Sequence, residues 1–69
     1  MPQDLKLHKI RHAIKRIQQE LIVEIQKFDN ENYYGKPALK GCQEIERLTN
    51  QLILATVELT LEMEDYVEN

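Results

Sequence analysis

The chain has 69 residues and a net charge of −3, with 30% charged residues, two glycines, two prolines and one cysteine. That length holds one domain, residues 1–69, with a modest core, and a single cysteine excludes a disulfide framework to reinforce it. Cys42 standing alone fits a reducing compartment. The stretch Met1-Pro2-Gln3-Asp4 lacks the apolar core of a signal peptide, and no apolar run nears the roughly 20 residues that span a bilayer. The expectation is a soluble, cytoplasmic protein without membrane association.

The first element is read from Leu7, Ile10, Ile14, Ile17, Leu21 and Phe28, which keep the three-four spacing of a heptad stripe. Glu24 takes one stripe position, with Ile25 beside it to fill the gap. Asp4 is placed as an N-cap, its carboxylate available to unpaired backbone N–H groups. The spacing predicts a helix over about 4–29.

Residues 29–36, Asp-Asn-Glu-Asn-Tyr-Tyr-Gly-Lys, are polar and tolerant of turns. Pro37 suits the first turn of a following helix, where its missing N–H costs nothing. Tyr33 and Tyr34 stand at this turn. They are either loop-tip binding residues or caps folded back on the end of the helices.

The second element repeats the rhythm with Ile45, Leu48, Leu52, Ala55, Leu59 and Tyr66, and Met63 fills in where Glu62 takes a stripe position. The alternation Val57-Glu58-Leu59-Thr60-Leu61-Glu62-Met63 also has a strand signature. With no breaker between Ala38 and Val67 and no partner strand in sight, the helical reading over about 37–67 prevails. On a wheel of 100° per residue, Ile53, Leu54, Val57 and Leu61 form a second apolar face away from the first. A helix that is apolar on two sides is normally buried on two sides, whereas the first helix offers one main face. The expected fold is therefore all-α: an antiparallel two-helix hairpin that pairs into a four-helix bundle as a homodimer, or that docks on another protein.

Charge supports the hairpin. Six bases against three acids leave residues 1–28 at +3, and nine acids against three bases leave residues 29–69 at −6. Lys6, Lys9 and Arg11 at a helix start oppose the macrodipole, as do Glu62, Glu64, Asp65 and Glu68 at a helix end. An antiparallel arrangement sets these two unfavourable ends beside each other. The individual pairs are weak, but together they disfavour the parallel alternative.

Candidate chemistry is sparse. His8 and His12 are four apart and share a face, yet two imidazoles fall short of a structural zinc set, and no metal or cofactor is expected. A nucleophilic Cys42 would need an activating neighbour; the reading here is a small, mostly buried thiol. Lys6, Lys9, Arg11, Lys15 and Arg16 scatter around the first helix without forming a stripe, and the chain is net acidic. A small helical RNA-binding dimer is thus a weak alternative, whose mark would be steep salt dependence. Gln43, Glu46 and Asn50 share one face that continues into Ile53 and Val57. A polar patch grading into an apolar one has the character of a protein-recognition surface, the alternative being a solvated flank with incidental amides.

The stretch Ala38-Leu39-Lys40-Gly41-Cys42-Gln43-Glu44-Ile45-Glu46-Arg47-Leu48 resembles the second helix of the small sporulation-regulating aspartyl-phosphate phosphatases of bacilli. Those are short helical hairpins with a serine–glutamine–glutamate–leucine–aspartate signature followed by a basic residue and a leucine. Glu20-Leu21-Ile22 is similar to their first helix, and the resemblance covers about half of the chain. It implies hydrolysis of the aspartyl phosphate of a response-regulator receiver domain, with Glu46 in the place of the functional aspartate and Gln43 in that of the glutamine. Cys42 departs from the serine, Glu46 is one methylene longer than aspartate, the turn differs in length, and the second helix runs about twenty residues past the signature. The leading expectation is a non-enzymatic interaction module, acting as a regulator, adaptor or small chaperone. Its partner surface is Gln43, Glu46, Asn50, Ile53, Leu54, Val57 and Leu61, together with Tyr33 and Tyr34; the phosphatase is the alternative.

Overall fold

A computed structural model describes residues 2–30 and 35–68. Two helices account for all of them but Gly35: α1, Pro2–Asn30, and α2, Lys36–Glu68. Pro2 opens α1 because its fixed φ suits a first turn and its missing N–H would have had no partner there. The helix thus begins before Asp4, which lies in the first turn rather than at the cap. A carboxylate there still favours the helix, since it faces the positive end of the macrodipole. Gly35 precedes α2 with φ of 82°, a left-handed conformation that side chains resist. Its carbonyl accepts the first helical hydrogen bond, from Leu39 N at 3.1 Å. At 1.5 Å per residue the helices measure about 44 and 50 Å, and the Cα envelope is 51 × 14 × 12 Å. The molecule is a rod: its radius of gyration is 15.8 Å, against about 11 Å for a compact chain of this length.

The helices pack side by side and antiparallel. Lys6 lies opposite Glu62 at one end. At the other, the Phe28 ring rests on Gly41, where an added Cβ would stand 3.2 Å from the ring edge. Facing residue numbers therefore add to 68 or 69 along the whole length, and the register does not slip. The core is thin. Leu7, Ile10 and Ile17 of α1 and Leu48 of α2 are buried, Leu48 almost completely. Ile14, Leu21, Ile45, Leu52, Ala55 and Leu59 complete the seam in half-buried positions. Phe28 and Tyr66, at the stripe's ends, remain partly exposed.

Three expectations about the seam need correction. Ile25 and Met63 do not fill the gaps beside Glu24 and Glu62; both are exposed. The carboxylates keep their seam positions, with side chains 24% and 20% exposed, and reach outward to Lys27 at 3.3 Å and Lys6 at 2.8 Å. Helical geometry explains this. Ile25 and Met63 each sit 100° round from the stripe residue they adjoin, and the strict heptad of their neighbours fixes the rotation. Cys42 is exposed rather than buried, because Gly41 takes the seam position and Cys42 turns away from it. Finally, α1 is not apolar on one face alone: Leu5, Ile22, Val23 and Ile25 are all exposed.

Truncating the best-buried side chain should expose how thin this core is. Leu48→Ala is expected to cost about 2–5 kcal/mol, whereas Cys42→Ser at an exposed position should change stability by less than about 0.5 kcal/mol. Urea titrations followed by circular dichroism at one fixed protein concentration measure both.

Candidate protein-interaction surface

The sides of the two-helix ribbon differ in chemistry. One edge gathers the cross-helix charges. Lys6 pairs with Glu62 and also lies in the field of Glu58 and Asp65. Arg47 grips Glu44 three residues earlier, through Nε at 3.1 and 3.2 Å to the two carboxylate oxygens and through Nη2. It also lies in the field of Glu20 and Glu24 of α1. Glu44 in turn senses Lys27.

The opposite edge is nearly free of charge along its middle. By helical periodicity it carries Gln18, Ile22 and Ile25 from α1 and Cys42, Thr49, Thr56, Thr60 and Met63 from α2. The threonines keep their hydroxyls inside the helix. Thr49 Oγ1 donates to the Ile45 carbonyl at 2.7 Å, Thr56 to that of Leu52 at 2.7 Å, and Thr60 to that of Thr56 at 3.0 Å. Their donors are thus already used, and the edge presents little that water must solvate.

This edge runs into the outer face of α2. Gln43, Glu46, Asn50, Ile53 and Val57 follow one another at three-four spacing, with Leu54 and Leu61 alongside, and all are exposed. Leu54 is 71% exposed and Leu61 59%. The arrangement is a second heptad seam on the side of α2 turned away from α1. Leu39, also exposed, extends it toward the turn. Leu39 stands four residues before Gln43, in step with this stripe, whereas the charge-poor edge does not emerge from the heptad templates. The edge does have a signal in the ten-residue run Leu48–Val57, which has no charged residue, and in the cluster Leu21-Ile22-Val23-Glu24-Ile25. Tyr33 and Tyr34 lie outside the described residues.

Gln43 and Glu46 stand on the convex outer surface of the helix. The grooves described on the molecule are lined by other residues, such as Leu59, Thr60, Met63, Glu64, Val67 and Glu68 near the end of α2. Arg47, the nearest cation in sequence, is engaged by Glu44, and Glu46 makes no ion pair among the described residues. His8 and His12 are in contact, Nε2 to Nε2 at 3.0 Å. Their neighbours around a small concavity are Arg11 and Lys15, so part of the basic charge of α1 is clustered rather than scattered. No group of three or more potential metal ligands occurs among the described residues, and no described helix is long and apolar enough to cross a membrane. No protein-family model, curated protein or solved structure matches the chain.

The charged edge should make helicity depend on pH in two limbs. The hydrogen bond donated by Arg47 holds the Glu44 carboxyl below its ordinary range, so its contribution is present above that range and is lost as pH falls through the lowered value. The hydrogen bond that Lys6 donates to Glu62 holds the Lys6 ammonium above the ordinary lysine range. Its contribution is complete below that range and disappears as pH rises through the raised value. Circular dichroism against pH should fall at both extremes, and Glu44→Gln should flatten the acid limb only.

Proposed function

We propose that this chain is a non-catalytic protein-interaction module whose primary partner is a second copy of itself. The two α2 helices pack through their outer faces, with the hairpins antiparallel, into a four-helix assembly with the α2 pair innermost and each α1 outermost, which serves as a regulator or adaptor. The observation that carries the reading is the uncovered face of Ile53, Leu54, Val57 and Leu61, continuous with an edge nearly free of charge.

Area and charge argue for a second copy. The hairpin exposes 5659 Å² at 8.2 kDa, whereas a compact monomer of that mass exposes about 4,500 Å². The excess, on the order of 1,100 Å², is of the size that each partner buries in a standard interface, about 800 Å². From Glu58 to Glu68, α2 carries five acids and no base; from Lys36 to Arg47 it carries three bases against two acids. A parallel pair would lay the acidic halves on each other. An antiparallel pair centred near residue 55 lays each acidic stretch against residues 42–52, which hold Glu44, Glu46 and Arg47, a net charge of −1 instead of the −5 that a parallel pair would oppose to itself.

Sedimentation equilibrium at tens of micromolar should give twice the 8.2 kDa chain mass. A Leu54→Glu/Val57→Glu variant should dissociate at least tenfold more readily while keeping its helicity. A folded wild-type monomer at 100 μM would refute the proposal.

The exposure of Gln43 and Glu46 on one stripe favours a second reading, in which this face docks on a phosphorylated receiver domain and promotes hydrolysis of its aspartyl phosphate. That reading requires the chain to shorten the lifetime of a phosphorylated receiver and Glu46→Ala to abolish the effect.

A further inference from the structure

His8 and His12 take no part in the seam, the ion pairs or the outer face of α2. Both are exposed on α1, one turn apart, with ring centroids 4.4 Å apart and planes at 80°. Their Nε2 atoms stand 3.0 Å from each other. In the chain alone this contact is an N–H···N hydrogen bond, in which one ring presents Nε2–H and the other a bare Nε2. Two imidazole nitrogens at that separation also have the bite of a chelate. With metal–nitrogen bonds of about 2.0–2.1 Å, a 3.0 Å separation subtends about 91–97° at the metal. That angle is close to the right angle of square or octahedral coordination, whereas a tetrahedral ion would need the two atoms about 3.3 Å apart.

We propose that His8 and His12 form a surface chelate for a divalent transition ion of the Cu(II) or Ni(II) type. The two Nε2 atoms occupy adjacent coordination positions, and water fills the others from the open side. Binding moves the ring proton that lies between the imidazoles from Nε2 to Nδ1 of the same ring, so no proton is lost from the neutral pair. The χ2 torsions that aim both lone pairs at one point are soft. The site is an exchangeable one, distinct from a closed structural site, which would need further protein ligands. Arg11 and Lys15 flank it and weaken a dication's hold, but both are exposed and screened by solvent and salt. Because the ligands span one turn of α1, a metal that binds only the helical form stabilises that helix.

The test uses Ni²⁺ alone with the full chain. Isothermal titration calorimetry should give one site per chain. His8→Gln and His12→Gln should each weaken binding at least tenfold, since either loss breaks the chelate, while Cys42→Ser should bind as the wild type does. Thermal unfolding provides a second readout: excess Ni²⁺ should raise the midpoint of the wild type and of Cys42→Ser, and leave that of either histidine variant unmoved. Binding of equal strength by all four proteins, or the absence of both heat and midpoint shift at millimolar Ni²⁺, would overturn the assignment.

Discussion

Leu48 is the most buried side chain described, and the line of contact around it constrains everything else. Two helices laid side by side share one seam, and a seam of heptad residues covers only a narrow strip of each. The strip is long here, because the helices run 29 and 33 residues, but length does not widen it. Three aliphatic residues of α1 and one of α2 are buried. Such a contact fixes register well and encloses little volume. The register is pinned at both ends by unlike devices, a lysine–carboxylate pair at the termini and an aromatic ring seated on a glycine near the turn.

The carboxylates in the seam show how strongly that register is held. A seam free to rotate would exchange Glu24 for Ile25 and Glu62 for Met63 and gain apolar burial at both places. It does not, because one rotation moves every residue of a helix together. Bringing Ile25 inward would carry Leu21 and Ile17 outward, and each buried aliphatic is worth about 1.5–3 kcal/mol. The glutamates therefore stay, pass their charge to Lys27 and Lys6 at the rim, and leave Ile25 and Met63 as part of the surface. The seam thus has its own charged edge, and the opposite edge receives the displaced apolar residues.

The heptads of both blocks, the polar break between them and the sense of the pairing are legible in the sequence, since they follow from spacing and from the sign of charge along the chain. Legibility fails where a position's role depends on its angle to the partner helix rather than on its neighbours in sequence. Cys42, three residues before a seam isoleucine, reads as buried, but Ile45 already marks the margin of the seam and Cys42 falls beyond it. Ile22 and Val23 escape notice because a heptad template leaves them out. The outer stripe of Gln43, Glu46, Asn50, Ile53 and Val57 is legible for the converse reason: it forms a heptad of its own. No sequence pattern states what, if anything, that stripe meets, because an exposed apolar face carries area and charge but no address.

The composition of that stripe also bears on how two copies would align. An antiparallel pair whose two-fold axis lies near residue 55 sets Ile53 against Val57, and it brings Glu46 toward Glu64. The next register that the heptad spacing allows centres between Asn50 and Ile53. There it separates Glu46 from Glu64 but sets Asn50 against Ile53. The first register costs a repulsion between exposed carboxylates, a few tenths of a kcal/mol once screened. The second forfeits aliphatic contact worth about 1.5–3 kcal/mol per side chain and places an amide against a hydrocarbon surface, where an unpaired polar group costs about 1–3 kcal/mol. Apolar contact outweighs screened repulsion, so the proposed bundle is centred on Ile53, Leu54 and Val57, and Gln43, Glu46 and Asn50 fall toward its margins.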